Sequence, residues 1–166
     1  TLSIVIFCLI IVMPMLFRSL PLAILGIILN LFPLIFTYSL MSWFGVTINI
    51  ATVLIGGVSL SIVVDDTIHF LTRFRIYLKE GLEWQQAIDK TIATIGHSIS
   101  MTTFILVGSF SCMAFSSFLP TSAFGIFISI TLILAWAIDL FLIPVLLASY
   151  GKFKLASRQK IEIAKN

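Results

Sequence analysis

Three carboxylic acids, Asp65, Asp66 and Asp139, sit in stretches that are otherwise almost wholly apolar. An ionised aspartate at the centre of a lipid layer costs about 2.5–3.5 kcal/mol on insertion scales, so acids in such a setting are read first as functional. Low dielectric disfavours a carboxylate, and a second carboxylate beside it adds to the effect. Adjacent acids are therefore suited to taking a proton from one side of a membrane and releasing it to the other. Asp65-Asp66 has this form, and His69, four residues after the first acid and three after the second, shares their helical face as a relay group or as an interfacial polar residue. Gly57, Ser61 and Asp65 recur every fourth residue, a small-residue stripe that predicts close helix packing with the acid turned into the bundle. Ser98 and Thr102, also four apart, offer hydroxyls to a carboxyl group or bond back to their own helix. Asp139 precedes Pro144, which has no N–H to give to the carbonyl of Leu140. An acid beside such a kink reads as a second ion ligand, part of a gate, or a lock to a neighbouring helix.

Other chemistries find little support. Two histidines on different segments give no zinc spacing, and no Gly-rich phosphate loop of the Walker type is present. Neither metal nor organic cofactor is expected, with protons as the only coupling ion. Cys8 and Cys112 lie in separate apolar runs and read as packing residues rather than a redox pair.

The elements that must position these groups follow from composition. Of 166 residues, 60% are hydrophobic and 10% charged, against roughly 25% charged in soluble domains. This excludes a soluble globular chain. A hydrocarbon layer of about 30 Å needs about 20 apolar residues per helix, and the runs predict an all-α integral membrane protein with five spans, at about 2–17, 20–42, 46–71, 92–115 and 121–150. Residues 72–90 alternate charged and apolar positions at helical spacing, which predicts an amphipathic helix on the membrane surface, broken at Gly81. A basic tail occupies 151–166. The chain opens on Thr1, directly into its first apolar run, and reads as a piece of a longer polypeptide.

All ten Lys and Arg fall on one side of this five-span arrangement: Arg18, then Arg73, Arg75, Lys79 and Lys90, then Lys152, Lys154, Arg158, Lys160 and Lys165. By the positive-inside rule that side is cytoplasmic, and so is the C-terminus. The net charge of +3 is thus a topology signal and implies no nucleic acid. No cation lies within a span, so any counter-charge for the acids comes from elsewhere.

The strings Asn30-Leu-Phe-Pro33, Gly45-Val-Thr-Ile-Asn49-Ile-Ala-Thr52, Val64-Asp65-Asp66-Thr-Ile-His69-Phe-Leu-Thr-Arg73-Phe-Arg75, Gly96-His97, Ser117-Phe-Leu-Pro120 and Asp139-Leu-Phe-Leu-Ile-Pro144 together resemble the transmembrane half-domain of the resistance-nodulation-division (RND) superfamily, and within it the MMPL type of predicted hydrophobe and lipid exporters. The resemblance spans nearly the whole chain. It implies helices two to six, or eight to twelve, of an RND bundle in a bacterial inner membrane, with Asp65 and Asp66 as the proton carriers of an exporter of lipid-like or drug-like substrates driven by the proton-motive force. The implied partners are membrane lipid, the other half-bundle and an extracytoplasmic porter domain of the same polypeptide, and further copies in an oligomer. The family usually has Gly where this chain has Ser61. A second reading is a lipid- or sterol-sensing module of the same fold type without transport. A third, an intramembrane aspartyl protease using Asp65 and Asp139, is disfavoured because Ser61-Ile-Val-Val-Asp65 lacks the Gly-x-Gly-Asp pattern of those enzymes.

Overall fold

The computed structural model describes residues 20–47 and 50–151; the first predicted span, with Cys8, and the tail 152–166 lie outside the described residues. These residues form an all-helical bundle without strands: α1 (Leu20–Trp43), α2 (Ile50–Lys79), α3 (Trp84–Thr91), α4 (His97–Cys112), α5 (Leu119–Ala137) and α6 (143–151). Single π turns, Ile92–Gly96 and Ile138–Leu142, join α3 to α4 and α5 to α6, and a 3-10 turn, Met113–Phe115, ends α4. Four helical rods among the described residues are long and apolar enough to cross a membrane: Gly26–Trp43, Thr52–Lys79, Trp84–Phe115 and Leu119–Gly151.

Two glycines stop helices by the same device. Gly45 (φ 65°) and Gly81 (φ 90°) occupy the left-handed region that only glycine enters without cost. Around each, the next residue donates its N–H five residues back, Val46 to Met41 and Leu82 to Tyr77, while the glycine donates three residues back. This double bond is the Schellman cap, which satisfies the last carbonyls of α1 and α2. The short turns that follow reverse the chain, so neighbouring rods run antiparallel.

The surface segment expected at 72–90 is divided between two rods. Residues 72–79 continue α2, and Trp84–Thr91 opens the next rod, held at its start by a capping box between Glu83 and Gln86. The amphipathic pattern is real, but its apolar face meets protein rather than lipid: Ala87 and Ile88 are buried in one cluster with Phe70 and Phe74 of α2. Trp84 closes this end, its ring edge-on to Phe74 at 5.1 Å and its indole N–H donating to the Leu147 carbonyl at 2.7 Å.

The α5–α6 rod is the hub, touching α1, α2 and the α3–α4 rod. In its most apolar 18-residue stretch half of the residues (50%) are buried inside the bundle, against 11% in the corresponding stretch of the α3–α4 rod, which is peripheral. Gly125 lets α5 approach closely, since a Cβ there would come within 2.6 Å of the Phe110 carbonyl oxygen and 2.8 Å of Met113 Cβ. Packing follows two buried clusters, one around Phe70, Phe74 and Leu147 near the Gly81 turn, the other around Ile55, Ile128 and Leu132 nearer the Gly45 turn. Cys112, expected to pack, is exposed on the peripheral rod.

Candidate functional site

Helix α2 carries polar groups on two opposite faces in its middle turns. Its 30 residues make a rod of about 45 Å at 1.5 Å per residue, and Asp65 stands about 22 Å from either end. The first cation beyond it, Arg73, is about 12 Å further along. The acid pair therefore lies mid-helix rather than at a frayed end.

The outward face holds Ser61, Asp65 and His69, all exposed. Asp65 and His69 side chains are 71% and 67% exposed, with Nε2 3.6 Å from Asp65 Oδ1. The stripe through Gly57, Ser61 and Asp65 thus looks away from this bundle, contrary to the expectation from small-residue spacing. The reason is that the interior positions of α2 are taken by a different stripe, Leu60, Val63, Thr67, Phe70, Leu71 and Phe74. A Cβ on Gly57 would meet nothing within 4 Å, and the Ser61 hydroxyl donates back to the Gly57 carbonyl at 2.9 Å.

Asp66 is turned about 100° from Asp65 and is half-buried. With Asp65 and His69 it lines a cavity of about 210 Å³, walled on the other side by Ile95, Ser98, Ile99 and Thr102 of the peripheral rod. The sequence-predicted groups Asp65, Asp66, His69, Ser98 and Thr102 are thus brought together in one cleft. Thr102 reaches back to the carbonyls of Ser98 and Ile99 rather than across to an acid. His97 is exposed outside the cavity lining.

Asp139 is not part of this cleft. Thr67 lies two residues after Asp65, about 200° around the helix, and donates to Asp139 Oδ1 at 2.9 Å. Its Oγ1 also lies 3.2 Å from Asn30 Oδ1 on α1, whose Nδ2 donates to the Gly26 carbonyl at 2.6 Å. Asp139 is 2% exposed, and its Oδ2 has no partner among the described residues. One layer away, the Thr37 and Thr131 hydroxyls join α1 to α5 at 2.8 Å. Asn30 and Thr67 were not singled out from the sequence as site residues. An amide in the middle of an apolar run, and a hydroxyl directly after an acid, were the available signals.

Asp65 and Asp139 therefore lie on opposite sides of α2, and Asp139 is not among the residues that line the cleft, so these two acids do not form the facing pair that aspartyl proteolysis needs. Among the described residues no group of three or more His, Cys, Asp or Glu could hold a metal ion. What the arrangement can do is bind protons at two acids flanked by an imidazole, in a cleft open to whatever packs on that side.

Compared with known protein families, the chain matches the model described as the MMPL family over residues 1–165. No curated protein and no solved structure matches it.

Proposed function

The chain belongs to the MMPL family of RND-type membrane transporters, and on that premise we propose that it is the membrane half-domain of a secondary exporter in which Asp65 and Asp66 take and release the driving protons. The carrying observation is the exposure of Asp65 and His69 in the middle of a membrane-crossing helix. Lipid is a poor neighbour for either group, each charged side chain at depth costing about 2.5–3.5 kcal/mol. This face is accordingly the one that packs against the other half-bundle of the transporter, which completes the cleft and supplies a counter-charge nearer to the acids than Arg73, about 12 Å further along α2. Asp65 and His69 lie at the seam, Asp66 within the cleft, and Ser98 and Thr102 form its wall. Proton uptake and release change the charge at the seam, and the two halves respond by shifting against each other.

In this reading the basic end is cytoplasmic in a bacterial inner membrane, and the cargo is hydrophobic or lipid-like, handled by an extracytoplasmic porter domain of the same polypeptide. The protein works with membrane lipid around it and as an oligomer, without an organic cofactor or a metal. Proton flux into proteoliposomes containing the full-length protein tests the proposal under an imposed pH gradient. Loss of flux in Asp65→Asn or Asp66→Asn, with intact insertion, is expected. Unchanged flux in both variants would overturn it and leave a lipid-sensing or scaffold module.

A further inference from the structure

At Thr67 one hydrogen faces two acceptors. Oγ1 lies 2.9 Å from Asp139 Oδ1 and 3.2 Å from Asn30 Oδ1, and a threonine hydroxyl donates only once. Asn30 does not supply the missing hydrogen, because its Nδ2 is engaged by the Gly26 carbonyl, which leaves the acceptor oxygen toward Thr67. An ionised Asp139 has none to give. A neutral Asp139 resolves the arrangement: its Oδ1–H donates to Thr67 Oγ1, and the Thr67 hydrogen then goes to Asn30 Oδ1.

The second carboxyl oxygen points the same way. Asp139 is 2% exposed and Oδ2 meets no donor among the described residues. A carboxylate held like this would leave a charge desolvated on one side, whereas the carbonyl of a neutral acid is far cheaper to leave bare. The surrounding elements offer no compensation. On α2 the nearby charged group is Asp66, of the same sign. On α1 the titratable side chain is Tyr38, about 12 Å along the helix from Asn30. On the α3–α4 rod, Asp89, Lys90 and His97 are exposed, and Tyr150 lies at the far end of α6. None of them is paired with Asp139.

We propose that Asp139 is a second proton-binding site, separate from the Asp65–Asp66 cleft, whose proton completes a donor chain from Asp139 through Thr67 to Asn30 and so ties α5–α6, α2 and α1 together. With the proton gone, Thr67 has one hydrogen for two acceptors and one of the two links is surrendered. The site stands on its own hydrogen-bond geometry and does not depend on the cleft carrying the transport current.

Infrared spectra of the full-length protein in lipid, recorded at neutral pH for wild type and Asp139→Asn, test this directly. The difference spectrum must show the loss either of a neutral carboxylic-acid carbonyl band or of carboxylate bands. Loss of the acid band is expected, and it should recur when the comparison is made in an Asp66→Asn background. Thermal unfolding provides a second readout. Asparagine presents an N–H where the neutral acid presents its O–H, so Asp139→Asn should melt with wild type, while Asp139→Ala should melt several degrees lower. Loss of carboxylate bands, or an Asp139→Asn protein that melts well below wild type, would overturn the proposal. If Asp139→Ala cannot be recovered folded, the spectra and the Asp139→Asn melt still decide. Proton flux is not read in either measurement, so failure of the exporter reading and failure of this one are distinguishable.

Discussion

The two polar faces of α2 differ in who answers for their acids. On one face Asp65 and His69 are exposed and touch each other across a single turn. On the opposite face Thr67 is buried and shares its hydroxyl with groups from two other helices. The first face is incomplete within the described residues, and the second is closed. A buried polar group is tolerated when its partners come from the same body, and such a network fixes how the helices sit. An exposed acid at membrane depth instead marks a surface where another body belongs. A single helix thus divides binding within the bundle from exchange across its edge.

The largest effect should come from removing the open face. The double variant Asp65→Asn with Asp66→Asn is expected to reduce proton flux in proteoliposomes to the leak of empty vesicles, while its melting temperature stays near wild type because Asp65 is exposed, Asp66 is only half-buried at the cleft, and asparagine keeps the shape of both side chains. A large fall in melting temperature would mean that this face is a structural element and would erase the contrast. Next in size, Asp139→Ala should lower stability by about 2–3 kcal/mol, since it leaves a buried hydroxyl short of its partner; chemical or thermal unfolding reads this. Thr67→Val keeps the shape of the side chain and removes only the hydroxyl, and about 1–2 kcal/mol is expected in the same assay. Flux through the cleft should persist in Thr67→Val, which separates the two faces by function as well as by energy. The smallest effect is assigned to Ser61→Gly. Its hydroxyl is exposed and bonded back to its own helix, so a cost of about 0.5 kcal/mol from backbone freedom is expected, with flux unchanged. A marked change in flux would show that the serine sits directly in the proton path.

The membrane helices were legible because their apolar runs are long and their breaks chemically plain: Gly45 and Gly81 stop helices where a left-handed residue is required. The end of α2 was not. Arg73, Arg75 and Lys79 read as a surface segment, yet long basic side chains can reach water from a helix that keeps its axis, so charge alone does not end a rod. The start of the following rod was misplaced for a related reason: Ala87 and Ile88 have the spacing of a lipid-facing stripe, and only tertiary packing shows that Phe70 and Phe74 cover them. At the site, Asp65, Asp66, His69, Ser98 and Thr102 could be grouped from spacing and residue type. The direction in which Asp65 points could not, because a stripe of small residues and a stripe of buried ones look alike until neighbours are known. Asn30 and Thr67 escaped notice for the same reason, since their meaning lies in a contact between residues 37 positions apart.

Each of the two π turns is an α-helix with one residue too many, and they abut: a Cβ added to Gly96 in one would lie 2.9 Å from Leu140 Cδ1 in the other. A surplus residue can migrate along a helix, and each position it passes is rotated by about 100°. Ile95, on the wall of the open cleft, rides on one of these surpluses, and Asp139 on the other. Set side by side at a glycine, they place the wall of the open cleft and the buried acid on adjoining turns, so a change of register in either helix would alter the packing of Leu140 against Gly96.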